Sequence, residues 1–186
     1  FRERGGLVLA FTEEEAEALE TGMAERKAAG SPIEVVSAKR AREIEPGLSE
    51  HPVLASYCAL DGFANSSLLG GAFRRALVGA GVEVREQAPV TAIESGGDGF
   101  AVHAGGGVIG ARRVVLATGV WSAQPLRWLG LAAPIGFVSN QMAVSECMGR
   151  VVARVIGVVA GNLSLKQADN GTVLIGGGWQ GLGHPE

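Results

Sequence analysis

The run Ala117-Thr118-Gly119-Val120-Trp121-Ser122 holds the residues best suited by type and spacing to contact a ligand. It follows the β-branched stretch Arg113–Ala117, which predicts a strand buried on both faces, and open α/β sheets bind ligands past the carboxyl ends of such strands. Gly119 lets another group approach the backbone closely, and Thr118 offers a hydroxyl. Trp121 offers a flat apolar wall with one N–H donor. These residues alone favour the plainer interpretation, a strand that leaves the sheet and is followed by a core tryptophan.

Two groups of glycines match the G-x-G-x-x-G spacing of dinucleotide-binding loops: Gly105, Gly107 and Gly110, and Gly176, Gly178 and Gly181. That spacing binds a pyrophosphate only where the loop leads into a helix whose N-terminus faces the phosphates. A predicted strand follows the first group, and the chain stops shortly after the second, at Glu186. We interpret both matches as accidents of a glycine-rich sequence.

The other side chains with catalytic potential are scattered along the chain. His51, His103 and His184 have no carboxylate or cysteine at a metal-ligand spacing, so the sequence predicts no metal site. Cys58 and Cys147 match no metal or redox motif, and two buried thiols in a reducing cytoplasm are favoured over a disulfide. No Ser–His–Asp triad can be read from the sequence, because such triads assemble in space.

Composition narrows the class of partner. The chain has 16 basic and 19 acidic residues and lacks a basic run, which argues against nucleic acid as a partner. No apolar run reaches the ~20 residues that a membrane helix needs. The 47% of hydrophobic residues suffices for a real core in one or two small domains. We expect a cytoplasmic protein.

Three amphipathic patterns predict helices in the first half of the chain. The first begins at the N-cap Thr12, and Glu15 closes a capping box. The second is short, begins after Ser37 and ends at Pro46-Gly47. Two of the helices have clear apolar faces, made of Ala16, Leu19 and Met23 on the first and of Leu69, Phe73, Ala76, Leu77 and Ala80 on the third.

Short β-branched or alternating runs predict the strands, and glycine-rich links predict tight turns between them. In the first half the predicted strands are Gly6–Phe11, Ile33–Val36, Ala55–Leu60 and Val82–Arg85. A meander follows, made of Val90–Glu94, Phe100–His103 and Val108–Gly110. A separate, mostly antiparallel sheet is predicted after Pro134, from Ile135–Val144, Val151–Val159, Leu163–Gln167 and Thr172–Ile175. The predicted fold class is therefore α/β plus α+β, with flanking helices.

Five stretches, in their order along the chain, carry a resemblance to a known family: Glu45–Ser49, Asp61–Asn65, Gly81–Val84 with Val90 and Ile93, Val115–Ser122, and Gly171–Gly178. They resemble the D-amino-acid-oxidase-like family of flavoproteins, which includes glycine oxidase and sarcosine oxidase. The most specific stretch is Val115–Ser122, which is similar to the pattern VVLA-x-G-x-WS. Together the five stretches span nearly the whole chain.

The resemblance implies an FAD cofactor and a set of residues beside it. Val90 matches the position whose backbone contacts the adenine, and Gln141 lies in the motif that opens the substrate-domain sheet. The loop beside the flavin corresponds to Ala117, Thr118 and Gly119, with Trp121 supporting it. No motif places an arginine for a substrate carboxylate or a covalent anchor for the flavin.

The resemblance also implies the domain organisation. Residues 1–60 would belong to the substrate domain, residues 61–122 to part of the FAD-binding domain with its β-meander, and residues 123–186 to the antiparallel sheet of the substrate domain. The family's N-terminal glycine fingerprint is not in this sequence, which begins without Met. We therefore expect an internal fragment that does not hold FAD by itself, with exposed apolar surface through which it could associate.

The implied activity of the parent protein is oxidation of a C–N bond in a small amine or amino acid, with hydride passing to the flavin. Two alternatives remain open. One is a non-catalytic binding or assembly module on the same scaffold. The other is a different two-domain flavoprotein that uses a nicotinamide donor.

Overall fold

The computed structural model describes residues 1–178 and residue 181, so that His184 lies outside the described residues. They form two compact units, Phe1–Leu69 with Asn140–Gly181, and Gly70–Ser139. The strands are β1 (Arg2–Glu3), β2 (Gly6–Ala10), β3 (Ile33–Ser37), β4 (Leu54–Cys58), β5 (Gly62–Phe63), β6 (Val90–Gly96), β7 (Gly99–Ala104), β8 (Gly107–Ala111), β9 (Ala143–Val144), β10 (Val155–Val158), β11 (Ser164–Gln167) and β12 (Val173–Gly176). The helices are α1 (Glu13–Ala28), α2 (Ala38–Ile44), α3 (Ser66–Gly79) and α4 (Ala123–Trp128), with a 3₁₀ turn at Gly119–Ser122.

The first unit is built on a seven-stranded sheet, called here the large sheet, with strand order β3-β4-β2-β10-β11-β12-β9. β2 and β10 are parallel, and the other neighbouring pairs are antiparallel. This confirms the predicted mostly antiparallel sheet. The sheet also incorporates β2, β3 and β4, which the sequence placed apart from the later strands.

Both faces of the large sheet bury apolar side chains. On one face Leu7, Leu9 and Ile156 form a buried cluster that includes Ala41 of α2. On the other face the buried side of α1 packs over Ala10 and Val8. The α1 contacts involve β2, β3 and β4, so this helix covers one half of its face of the sheet.

Local side-chain hydrogen bonds determine where α1 begins. Thr12 Oγ1 accepts a hydrogen bond from the Glu15 N–H (3.1 Å), and the Glu15 carboxylate accepts one from the Phe11 N–H (2.7 Å). The N-cap and its glutamate partner are thus confirmed, although the glutamate bonds one residue before the cap. The buried side of α1 consists of the three predicted residues Ala16, Leu19 and Met23.

A buried glutamine fixes the segment that leads into β10. Gln167 Oε1 accepts hydrogen bonds from the N–H groups of Val151 (2.9 Å) and Val152 (3.2 Å). Its Nε2 donates to the carbonyls of Gly149 (2.9 Å) and Gly171 (3.0 Å). A longer contact reaches the Met148 carbonyl (3.5 Å), so this one side chain bonds five backbone groups that lie outside the strands.

The second unit contains the predicted meander. β6, β7 and β8 form a three-stranded antiparallel sheet in which β7 is central. The turn between β7 and β8 uses Gly105 and Gly106, both at positive φ (+56° and +78°). These glycines therefore serve a hairpin, as expected for an accidental match to the dinucleotide fingerprint.

Two predicted strands are missing and two are much shorter than predicted. One of the shortened strands is Val151–Val159, where only Val155–Val158 is a strand. Val82–Arg85 and Arg113–Ala117 contain no strand residue, and Val115 is 88% exposed instead of buried. Within Ile135–Val144 the strand is limited to Ala143–Val144, which pairs with β12. A β-branched run favours extended backbone, but a strand also needs a neighbour that supplies hydrogen bonds. Among the described residues no strand pairs with Val82–Arg85 or Arg113–Ala117.

Both cysteines are free thiols. Cys58 is buried in β4, as predicted, whereas Cys147 is exposed, so the prediction of two buried thiols is wrong for the second. In the described part of the chain, no helix is both long and apolar enough to cross a membrane. Within residues 1–178 and 181, no group of three His, Cys, Asp or Glu side chains is placed to hold a metal ion.

Candidate functional site

The loop Thr118–Ser122 is a tight turn held by its own side chains. The Thr118 and Ser122 hydroxyl oxygens lie 2.9 Å apart. The backbone N–H of Trp121 donates to the Thr118 carbonyl (3.1 Å). Gly119 begins the turn at φ +56°, a conformation that a residue with a Cβ adopts only with strain. Among the described residues, no heavy atom outside Gly119 and its two chain neighbours lies within 4 Å of the position that a Cβ at Gly119 would occupy. The backbone here is therefore open to a ligand.

Helix α4 positions this loop against the meander. It begins directly after the turn, buries Pro125, and contacts β6. β6 starts with Val90, which pairs with Ala104, and a register shift lies between Val90 and Ala92. The predicted cofactor residues Val90 and Ala117–Trp121 thus belong to one compact unit, on two elements that α4 links.

Several apolar side chains in this loop and just before it in the sequence are exposed to solvent. Trp121 is 57% exposed, Val120 42% and Val115 88%. Trp121 is therefore not the core residue that the plainer interpretation requires, because its side chain does not pack into the interior. A flat aromatic ligand lying on such a surface would remove this apolar area from water.

The two glycine groups that match the dinucleotide fingerprint do not lead into a helix in the described part of the chain. Gly105 and Gly106 form the turn of a hairpin, and Gly177 and Gly178 follow β12, so neither fingerprint precedes a helix within residues 1–178. The helix N-terminus that would face the phosphates is therefore not supplied by either fingerprint.

Gln141 lies in the other unit, at the edge of the large sheet. It lines a cleft of about 290 Å³ together with Met142, Ala143, Ile175 and Gly176. These residues belong to β9 and β12 and to the segment that enters β9. The structure thus places Gln141 at a cavity of the first unit, whereas the other predicted site residues belong to the second unit.

A second cavity, of about 130 Å³, adjoins this cleft and was not predicted from the sequence. The two share Met142 and Gly176, and the second is also lined by Ser164 and Lys166. The sequence of β11 does indicate this face, because side chains two residues apart on a strand project to the same side of the sheet. A lysine two residues after a serine in an otherwise apolar setting would have marked this face.

Comparison with known proteins decides the family. The model of the DAO family, described as FAD dependent oxidoreductase, matches residues 1–185. The chain belongs to this family. The resemblance seen in the five ordered stretches is thereby confirmed, and FAD is the cofactor of the family.

Two curated members of the family illustrate the relationship. The chain is 29% identical over 179 residues to a subunit of the opine oxidase of Rhizobium meliloti, covering 94% of this chain and 47% of that protein. It is 31% identical over 134 residues to glycine oxidase of Geobacillus kaustophilus, covering 72% of this chain and 36% of that enzyme. The chain thus spans less than half the length of these relatives.

Solved structures of other proteins share the fold. The L-proline dehydrogenase of P. horikoshii superposes with a TM-score of 0.88 at 22% identity, over 96% of this chain and 50% of that one. The glycine oxidase of Geobacillus kaustophilus gives 0.81 at 25% identity, over 97% and 49%. The predicted fold class, a meander sheet together with a mostly antiparallel sheet and flanking helices, is confirmed.

Proposed function

We propose that the protein containing this chain is a cytoplasmic FAD-dependent enzyme that oxidises a C–N bond in a small amine or amino acid. The observation that supports this most is the family match over residues 1–185. The named relatives, from an opine oxidase and a glycine oxidase, support an amino-acid-like substrate. When bound, FAD accepts a hydride from the carbon next to the substrate nitrogen.

The proposed role of this chain is to form one wall of the flavin site and one side of the substrate site. The backbone of Ala117, Thr118 and Gly119 would contact the flavin, because Gly119 leaves the loop open. The hydroxyl pair of Thr118 and Ser122 would hold the loop in shape, and Trp121 would exclude water beside the cofactor. Val90 would contact the adenine through its backbone at the start of β6.

The proposed domain division follows from these roles. Residues 61–122 would form the flavin-side portion, and residues 1–60 and 123–186 the substrate domain, with Gln141 facing the substrate. Two features support it: the large sheet contains strands from both substrate-side segments, and the meander forms a sheet of its own. The boundary after residue 122 is the part that a structure with bound FAD would test.

Absorbance of the purified proteins tests the proposal. The whole protein should carry stoichiometric flavin and should bleach when an amino-acid substrate is added without oxygen. The isolated chain should purify without flavin, because neither glycine fingerprint precedes a helix. Colourless whole protein, or flavin that no amine or amino acid reduces, would contradict the proposal. Bleaching by NADH instead would favour a nicotinamide-dependent flavoprotein.

The second candidate is a non-catalytic binding or assembly module on the same scaffold. It is favoured by one observation, that the described residues provide a wall for a flavin without a phosphate cradle behind either fingerprint. A whole protein that lacks an upstream glycine fingerprint and binds an amino acid without flavin would support this module.

A further inference from the structure

The large sheet ends on one side in β3, a strand with one open edge. β3 pairs with β4 along its whole length, Ile33–Ser37, and is the terminal strand in the sheet order. Within the described part of the chain no second strand pairs with it, so its outward backbone N–H and C=O groups have no strand partner. β9, at the opposite edge, has only two residues. β3 is therefore the edge with room to add a strand.

β3 lacks most of the features that prevent an edge strand from pairing. It contains no proline, and no bulge interrupts its register with β4. Its one charged residue is Glu34. Its middle residue, Val35, is 42% exposed. The edge thus combines open hydrogen-bonding groups with an apolar side chain at its centre.

The side-chain pattern of β3 is compatible with antiparallel pairing to a second copy of itself. A two-fold axis through the middle of the strand would place Val35 opposite Val35 of the second copy. Ile33 would lie opposite Ser37. Glu34 would lie opposite Val36, so that no like charges face each other directly. Five residues paired in this way form roughly four to six backbone hydrogen bonds.

The charges of helix α1 favour a second copy as the occupant of this edge. α1 contacts β3 and β4, so the same two-fold axis would bring the two α1 helices side by side in opposite directions. The first turn of α1 holds three glutamates, at positions 13–15, and the last turn holds Arg26 and Lys27. Among the described residues neither Arg26 nor Lys27 forms an ion pair. The acidic end of each helix would therefore lie towards the basic end of the other.

We propose that β3 is a self-association edge, through which two copies of the protein join by antiparallel β3–β3 pairing across a two-fold axis at Val35. The two large sheets then form one continuous sheet. Backbone hydrogen bonds set the alignment, and the two Val35 side chains remove apolar area from water. The interface involves neither flavin nor substrate, so it does not rest on the proposed function.

A charge swap at position 35 tests this in the whole protein, with sedimentation equilibrium giving the Kd of the dimer. Val35→Asp and Val35→Lys each place two like charges opposite each other, so each should raise the Kd roughly tenfold. An equimolar mixture of the two variants should restore association, because an aspartate then faces a lysine. Val108→Asp and Val108→Lys, at an exposed valine of β8, are the matched controls. Unchanged Kd values for the single variants, or a mixture no tighter than either variant alone, would overturn the proposal.

Disulfide trapping reads out the register independently. Cys147→Ser first removes the exposed native thiol. Val35→Cys should then give a covalent dimer under mild oxidation, because directly opposed Cβ atoms lie about 4.5–5.5 Å apart, close to the span of a disulfide. Glu34→Cys is the matched control, since its two copies would be diagonal neighbours about 7–8 Å apart and should cross-link much more slowly. No covalent dimer at position 35, or equal rates at positions 34 and 35, would overturn the two-fold pairing.

Discussion

Glu45 and Ala153 are joined by a hydrogen bond across 108 residues of sequence, with Glu45 Oε2 accepting from the Ala153 N–H at 2.8 Å. The same oxygen accepts from the Arg154 N–H, also at 2.8 Å, and Glu45 is only 4% exposed. The acidic residue of the Glu45–Ser49 stretch therefore serves the fold, by anchoring the segment that enters β10.

The first prediction concerns this anchor. Glu45→Ala should lower the free energy of unfolding by about 2 kcal/mol, because two partly buried N–H groups lose a charged acceptor. Glu45→Gln keeps one acceptor oxygen and should cost roughly 1 kcal/mol. Urea denaturation measures both, and Glu43→Ala on the exposed side of α2 should change stability by less than about 0.5 kcal/mol. Equal effects at positions 43 and 45 would contradict the anchor.

The buried glutamine gives a second prediction. Gln167→Leu should destabilise the protein by roughly 2 kcal/mol, since it leaves partly buried backbone donors and acceptors without their partner. The loss should be local as well as global, so amide exchange at Val151 and Val152 should become faster. Gln124→Leu, at an exposed position on α4, is the matched control. Unchanged exchange at Val151 in the Gln167 variant would show that the side chain does not hold this segment.

The third prediction is a dependence on pH in the acid range. The Arg2 and Arg4 guanidinium groups, each hydrogen-bonded to Asp169, lower the pKa of this carboxyl from its ordinary value of 3.8. Because folding lowers the pKa, the stabilisation is present above the unfolded value and is lost as the pH falls through the folded value.

Carbon-detected NMR titration of the Asp169 carboxyl checks this. The pKa should lie below 3.8 and should return towards that value at high salt, since the ion pairs are exposed. Asp169→Asn should flatten the fall in stability below pH 4, and Asp98→Asn should not. A pKa of Asp169 at or above its ordinary value would contradict the ion pairs.

Sequence patterns predicted those elements whose signals are local. The Thr12 cap with Glu15, the buried side of α1 and the glycine turns of the meander follow from interactions within a few residues, and the structure contains them. The Arg113–Ala117 run shows the limit, because extended backbone becomes a strand only beside a partner strand. The parallel pairing of β2 with β10 was equally inaccessible, since it joins residues separated by most of the chain.

In the candidate site, too, some features depend on local sequence and others on packing between distant segments. The loop at Thr118–Ser122 was singled out from its own residues and stays a prediction as a cofactor site. The exposure of Trp121 depends on packing, which the sequence does not show. The cavity of about 130 Å³ beside Ser164 depends on register across three strands, Gly157 with Ser164 and Ser164 with Gly176. Register is set by pairing between distant segments, so a single sequence shows Ser164 without showing what surrounds it.

Trp121 yields the fourth prediction, which follows from the proposed function. In the whole protein Trp121→Ala should raise the Kd for FAD roughly tenfold, because an aromatic wall beside the cofactor is lost. Trp121→Phe retains the wall and should have a smaller effect. Equilibrium titration of apoprotein with FAD gives the values, and Val108→Ala, at an exposed apolar position on β8, is the control. An unchanged Kd for Trp121→Ala would remove this residue from the site.

The fifth prediction concerns association of the isolated chain through exposed apolar surface. Val115 is 88% exposed in a segment without strand partners, and Phe73 on α3 is 61% exposed. Burying such side chains against another copy removes apolar area from water, so sedimentation should show association that rises with concentration. Val115→Asp should shift the chain towards the monomer without lowering its melting temperature, because an exposed side chain adds little to folding stability. Val108→Asp, at an exposed apolar residue within a paired strand, is the matched control. Monomer at all concentrations, or an equal response to both variants, would exclude the segment around Val115 as the contact.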